Sequence, residues 1–304
     1  FCGNIFFMLS ILIPTYNYDI TNLVETIWQQ CKKESFSFEI IVLDDYSTNL
    51  TITKNNDDIK DLEFCKHIKN KKNMGRTATR TLLCKEAKYD WLLFLDADVM
   101  PKFNDFIQRF NLEDNNNSKV IFGGISYDYE IPNQEKLLRW EYGRKREAKP
   151  VSKRLKEPYF IISQNLMIKK SVFITSNTID ESIYGLDILF SNNLKKKKVT
   201  IIHIENPVFH LGLETTTIFI EKSLEAVKTT FLLENKNLLE QDLRPLQKSY
   251  LKLKKWNLIG FYSFIVSKFL KKMKNNFHSL KPNLFLFDLY RLHYYIQLKT
   301  EKNA

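Results

Sequence analysis

Three short apolar runs, each closing on polar or acidic residues and each set off from the next by helical periodicity, constrain this chain most. Leu9–Pro14 (LSILIP), Phe38–Leu43 (FEIIVL) and Trp91–Leu95 (WLLFL) are dense in Ile, Leu, Val and Phe. Near-continuous runs of this kind suit a strand buried on both faces. Between them Leu23, Ile27 and Cys31 fall on one helical face, and Ala78, Leu82, Leu83 and Ala87 mark another helix. Asn22 with Glu25 three positions on resembles a capping arrangement. Strands alternating with helices predict an α/β fold of βαβ units on a mostly parallel sheet. Ligands of such sheets bind beyond the carboxyl ends of the strands. Here those ends are Thr15 to Asn17, Asp44-Asp45, and Asp96 to Asp98.

Further along, Val120–Phe122 precedes Gly123-Gly124, and Tyr159–Ile162 and Leu166–Ile168 flank Ser163-Gln164-Asn165. Val199–Ile204 leads through Pro207 to His210. From Thr215 the pattern turns helical, with Ile220, Leu224, Val227 and Phe231 on one face. The expected division is an α/β domain at 8–215 and a helical appendage at 216–304. An apolar fraction of 44% supplies ample core. Cys2, Cys31, Cys65 and Cys84 are scattered with no CxxC pair, which reads as reduced thiols in a cytosolic protein. Phe1 to Ile13 is apolar but lacks a basic segment and a cleavage site, which makes a poor signal peptide, and residues 1–7 read as a leader outside the fold. No uncharged apolar stretch reaches the length of a transmembrane helix.

Asp96-Ala97-Asp98 carries the chemistry. Two carboxylates two residues apart at a strand end can both reach one hard divalent cation that bridges phosphate oxygens. A solvated turn is the alternative, and the WLLFL strand in front brings the two to even footing. The wider pattern then decides. Ser10–Asn17 (SILIPTYN), Ile41–Thr48 (IVLDDYST), Asn73-Met74-Gly75 with Arg80, and Leu93–Pro101 (LFLDADVMP) stand in the order and spacing of family 2 glycosyltransferases. The chain resembles that family from about Leu9 to Glu214. The resemblance implies a GT-A, Rossmann-like fold, a nucleotide-sugar donor with a UDP-sugar favoured, Mn²⁺ or Mg²⁺, and inversion at the anomeric carbon.

By the same resemblance, Pro14, Thr15 and Asn17 would line the nucleoside pocket, Asp45 would accept from the base, and Asp44 would sit close by. Arg80 would lie near the diphosphate, with a surface arginine as the equal alternative. Asp96 would face ribose and metal, Asp98 would ligate the metal, and His210, in NPVFHLGLE, would complete its shell, with a packed core histidine as the alternative. Ser163, Gln164 and Asn165 are candidate sugar contacts, with a loop turn as the alternative. Ile183–Phe190 (IYGLDILF) is similar to the family segment holding a Glu-Asp pair after Gly. Leu186 replaces the Glu, and Asp187 keeps the position of the general base. Glu181 is the fallback for that role, and a helix N-terminal Asp is the bland reading. His67, His203, His278 and His293 read as structural or surface residues.

Rival classes are weaker. A nucleotidyltransferase would favour a Gly-rich, Lys-containing loop where this chain has PTYNYD. A degenerate, non-catalytic nucleotide- or sugar-binding protein has only Leu186 in its favour. No nucleic-acid-binding motif is present. The formal charge of +11 is concentrated late: Pro245–Ala304 holds eleven Lys and one Arg against Asp288 and Glu301, a net of +10, together with twelve aromatics. Lys252, Lys254 and Lys255 precede the run Trp256–Val266, and Lys268, Lys271, Lys272 and Lys274 follow it. Basic flanks around aromatics predict a helix lying on an anionic membrane face, with packing on the catalytic domain as the alternative. A saccharide or lipid-linked acceptor at the inner face of the cell membrane, in surface polysaccharide or lipopolysaccharide assembly, completes the expectation.

Overall fold

The computed structural model describes residues 8–110, 119–179 and 183–301, so the expected leader, Cys2 and Glu181 lie outside the described residues. Ten strands run in chain order: β1 (Met8–Thr15), β2 (Ser37–Asp44), β3 (Cys65–Lys69), β4 (Trp91–Leu95), β5 (Val99–Pro101), β6 (Val120–Phe122), β7 (Ile125–Ser126), β8 (Asn165–Lys169), β9 (Ile201–His203) and β10 (Val208–His210). Seven form one sheet in the order β3-β2-β1-β4-β8-β6-β9. All its pairings are parallel except those of β8, which runs against both β4 and β6. A second sheet, β5-β10-β7, pairs His210 with Val99 across β10 and β5.

Leu9 to Ile13 is buried at every position, as expected of a strand covered on both faces. On one side α1 (Thr21–Cys31) packs Leu23, Val24, Ile27 and Cys31 into a cluster with Ile11, Ile13, Ile40 and Val42. Each fully buried Ile or Leu contributes roughly 1.5–3 kcal/mol of transfer free energy, so this cluster holds the sheet's central strands together. Helix α2 (Leu50–Asp57) follows β2, and α3 (Arg76–Glu86) lies against β1 and β2, burying Ala78, Leu83 and Cys84. Contrary to the capping expectation, α1 starts at Thr21 with Ile20 at its N-cap and no side-chain cap. Asp19 Oδ1 instead accepts from the Thr21 amide at 3.0 Å, so Asn22 already lies inside the helix. Of the two runs flanking Ser163-Gln164-Asn165, the second falls in β8, which begins at Asn165, and Tyr159–Ile162 lies in a loop.

The chain gathers into two compact, interleaved units. One holds the described residues of Phe1–Tyr127, Glu147–Ser182 and Asn193–Gly212; the other holds Asp128–Arg146, Ile183–Asn192 and the described residues of Leu213–Ala304. The 215/216 division read from the sequence is linear, whereas the second unit also takes in two earlier stretches. The first unit holds α5 (Val151–Arg154) and α6 (Lys170–Ser176), and the second holds α4 (Leu137–Tyr142), the start of α7 (Asp187–Lys196), α8 (Thr216–Asn235), α9 (Pro245–Lys255), α10 (Ile259–Phe277) and α11 (Leu284–Glu301). Leu138, Phe219, Ile220, Val266, Phe277 and Phe287 form one core there, and Val227, Phe231, Leu292, Tyr295 and Ile296 another. Glu234, buried on α8, accepts from Gln247 Nε2 at 2.6 Å, from the Tyr295 hydroxyl at 2.6 Å and from Lys299, tying α8 to α9 and α11. Two bonds bring the early stretch into this unit. Gln134 donates to the His278 carbonyl at 2.7 Å, and Arg146 to Asp288 at 2.6 Å. Among the described residues no helix is long and apolar enough to cross a membrane.

Candidate active site

Parallel register places the ends of β1, β2 and β4 along one edge of the sheet. Thr15 pairs with Asp44, and the Asp45 amide donates to the Thr15 carbonyl at 2.8 Å. Asn17 follows in the left-handed region (φ 49°), a conformation Asn tolerates better than most residues. Its Oδ1 accepts from the amides of Thr48 at 2.8 Å and Asn49 at 3.0 Å, and its own amide donates to Ser47 Oγ at 2.7 Å. Asn17 thereby staples the loop after β1 to the loop after β2.

The carboxylates of the second strand end are already engaged. Asp44 is buried and accepts from the Ser47 amide at 2.7 Å. Asp45 accepts from Asn70 Nδ2 and from the amides of Met74 and Gly75, each at 2.8 Å. Sequence reasoning aimed Asp45 at a base; in the structure its carboxylate holds the Asn73-Met74-Gly75 loop that opens α3. Pro14 is half-buried and Thr15 buried, its hydroxyl donating to the Tyr18 carbonyl at 3.1 Å.

Asp96 closes β4 between two arginines of α3. Oδ2 accepts from Arg76 at 2.6 Å and Oδ1 from Arg80 at 2.5 Å. Arg80 is buried, which removes the surface alternative, and it also donates to the Ser163 carbonyl at 2.9 Å and to the Ser163 hydroxyl. With both oxygens of Asp96 on guanidinium groups, the expected three-ligand set Asp96–Asp98–His210 is not assembled. Among the described residues no group of three His, Cys, Asp or Glu could hold a metal ion by itself.

Asp98 and His210 do meet. Oδ2 of Asp98 lies 3.1 Å from Nε2 of His210, brought there by the β5–β10 pairing across 112 positions of chain. Burial pushes the Asp98 carboxyl up, but the hydrogen bond and charge of His210 and the charge of Arg76 outweigh it. The net pKa lies below the ordinary carboxylate value. Two adjacent ligands of an octahedral ion with bonds of about 2.1 Å stand about 3.0 Å apart, so this oxygen and this nitrogen fit one small divalent cation. Gly212 makes the placement possible, since a Cβ there would meet Asp98 Oδ2 at 2.0 Å. The buried Tyr127 ring packs edge-on against His210 at 5.5 Å.

Asn165 does not belong to a ligand surface. It is fully buried, and its Nδ2 donates to the carbonyls of Gly124 at 2.9 Å and Asn206 at 2.8 Å, so the sugar-contact reading gives way to a structural one. Asp187 opens α7 (Asp187–Lys196) as the acidic residue of its first turn. Gly185 before it has φ 91°, and its Cα comes so near α8 that a Cβ would lie 3.0 Å from Ala226 Cα. Leu186, where the family pattern has Glu, is buried. His67, His203 and His293 are buried and His278 is exposed. Arg76 and Gly212 were missed by sequence reasoning; their adjacency to Gly75 and His210 in the two motifs was the available signal.

A model described as glycosyl transferase family 2 matches residues 10–176, more than half of the chain. The chain belongs to that family. An uncharacterized glycosyltransferase of Haemophilus influenzae is 32% identical over 119 residues, covering 38% of this chain and 38% of the relative. A second, from Rickettsia felis, is 36% identical over 126 residues, 39% of this chain and 19% of that one. The matches thus span well under two thirds of these relatives. Among solved structures, the mannosyltransferase PcManGT from Pyrobaculum calidifontis in complex with GDP-Man and Mn²⁺ superposes with a TM-score of 0.58 at 12% identity, covering 97% of this chain and 86% of its own. S. aureus TarS 1-349 in complex with UDP-GlcNAc gives 0.50 at 15% identity, covering 98% and 93%. The shared feature at such identities is the GT-A fold.

Proposed function

We propose that this family 2 glycosyltransferase moves a sugar, with inversion, from a nucleoside diphosphate donor to the hydroxyl of a saccharide or lipid-linked acceptor in surface polysaccharide assembly. The Asp98–His210 pair carries the reading, because its 3.1 Å spacing suits a divalent ion beside an edge that also holds Arg76 and Arg80. The nucleotide sugars bound by PcManGT and TarS support a donor of that class.

In this reading Asp98 and His210 would hold Mn²⁺ or Mg²⁺, which when bound would supply positive charge to the departing diphosphate. Pro14, Thr15, Asn17 and Asp44 shape the nucleoside pocket, and Asp45 contributes by fixing the loop before α3. Arg76 and Arg80 add positive charge and hold Asp96 at the strand end, where it faces the ribose. Asp187 takes the proton of the acceptor hydroxyl as that oxygen bonds to the anomeric carbon and the bond to the diphosphate oxygen breaks. The general-base assignment rests on the family resemblance of Gly185-Leu186-Asp187.

A thermal-shift screen of UDP-, GDP- and CMP-sugars with and without Mn²⁺ tests the donor assignment, with a UDP-sugar expected to stabilise most. The Asp98→Ala variant should melt close to the parent but lose Mn²⁺-dependent stabilisation by the donor. Equal stabilisation of both proteins would exclude Asp98 as a ligand.

A further inference from the structure

Helix α10 is apolar on two faces. Inward, Val266, Met273 and Phe277 are buried in the core of the second unit, with Tyr262 and Leu270 packed against it. Outward, Phe261, Phe264, Ile265 and Phe269 are 63%, 60%, 38% and 44% exposed, and Trp256, just before the helix, is 71% exposed. At about 100° per residue these outward side chains form one stripe along the axis, interleaved with the exposed Lys268, Lys271 and Lys272. The outer face of a surface helix is ordinarily polar, so a stripe of this kind points to a partner.

The charge around the stripe has one sign. Pro245 to Phe277 contains eight lysines and no Asp or Glu. Lys268 Nζ lies 3.9 Å from the centroid of the Phe264 ring, and Lys272 Nζ 5.7 Å from that of Phe269, so cation and ring share one surface. A second copy of the chain on this face would bring lysines against lysines with no acidic residue to offset them. A bilayer with anionic headgroups satisfies both parts of the pattern, because rings enter the headgroup–acyl boundary while ammonium groups stay at the lipid phosphates. Helix α10, 19 residues and so about 28 Å long, carries four lysines, which suits lying in the interface and not crossing it.

We propose that the outward face of α10, led by Trp256 and the Phe261–Phe264–Phe269 stripe, docks the protein flat on an anionic lipid surface. The docking is independent of the donor chemistry, and its test reads binding, so either can fail without the other.

The full chain is sedimented with phosphatidylglycerol-containing vesicles and with pure phosphatidylcholine vesicles, at low and high salt. Binding is expected to the anionic vesicles, weakened by salt, with a blue shift of tryptophan fluorescence that Trp256→Tyr removes. Phe261→Ser/Phe264→Ser/Phe269→Ser should weaken partitioning at least about tenfold. Lys268→Gln/Lys271→Gln/Lys272→Gln should weaken it by about a hundredfold at low salt. All six positions are solvent-facing, so both triple variants should melt near the parent temperature. No low-salt binding to anionic vesicles, or undiminished binding by the serine variant, would overturn the proposal. So would co-sedimentation with a single-stranded polynucleotide but not with vesicles, or self-association lost in the serine variant without vesicle binding.

Discussion

Gly212 leaves room for a carboxylate: Asp98 Oδ2 occupies the space a side chain at 212 would fill, with Asp98 Cγ only 2.7 Å from the same point. Because Leu211 also donates its amide to the Asp98 carbonyl at 2.8 Å, backbone and side chain are fixed together. Gly212→Ala should therefore push Asp98 off His210 and weaken Mn²⁺ binding about 10- to 100-fold, the range for losing a group that orients a ligand. Titration calorimetry with Mn²⁺ measures this, and an unchanged isotherm would contradict it. That Asp98 and His210 share one place was expected from the family pattern alone, and the structure sets them 3.1 Å apart across 112 positions; their role as ligands is what the Mn²⁺ titration tests. Arg76 was not legible, since its partner Asp96 lies 20 positions away and meets it only once α3 is docked. Asn165 misled for the opposite reason: a polar side chain beside a strand end reads as a ligand contact, and only the fold reveals the two carbonyls it bonds.

At the scale of elements, strands were read well where burial alone selects them. Trp91–Leu95 matches β4, and the runs at Leu9 and Phe38 grow by one residue at each end. Tyr159–Ile162, a similar short apolar run, lies outside the sheet, because only ladder partners distinguish such a run in a loop from a strand. The start of α7 shows a tertiary contact setting a local motif, with Gly185 required by its positive φ and its approach to α8. Asp187, two residues on, gains roughly 0.3–1 kcal/mol from the helix dipole, too little to decide the fold. Asp187→Asn keeps the side chain's shape and hydrogen-bonding capacity, so it should leave the melting temperature and donor affinity nearly unchanged while lowering the transfer rate roughly 10²- to 10⁴-fold. Parallel donor-binding and turnover assays separate this from a structural role, for which affinity and rate would fall together.

For the whole molecule, three buried histidines set the response to acid. Burial pushes His67, His203 and His293 below the ordinary histidine value, and for His67 the opposing pull of Asp57 does not restore it. The unfolded chain takes up these protons first, near its ordinary value of about 6.5. Their stabilising contribution is complete above that pH and lost as pH falls through the lower folded-state values. The melting temperature should decline below about pH 6.5, well before Asp57 and Asp98, both held under the ordinary carboxylate range, begin to protonate. His293 has no hydrogen bond at either ring nitrogen among the described residues, so His293→Phe should flatten that decline in a pH series of thermal melts. The interleaving of the second unit also dictates an order of events during synthesis. Arg146 and Asp288 stand 142 positions apart. On a ribosome adding about 5–20 residues per second, α4 would wait roughly 7 to 30 s for the segment that covers it. Until then Leu138 lacks Phe287, and for about the first half of the wait it lacks Phe219 as well, which gives nascent-chain chaperones an apolar target that vanishes when α11 arrives.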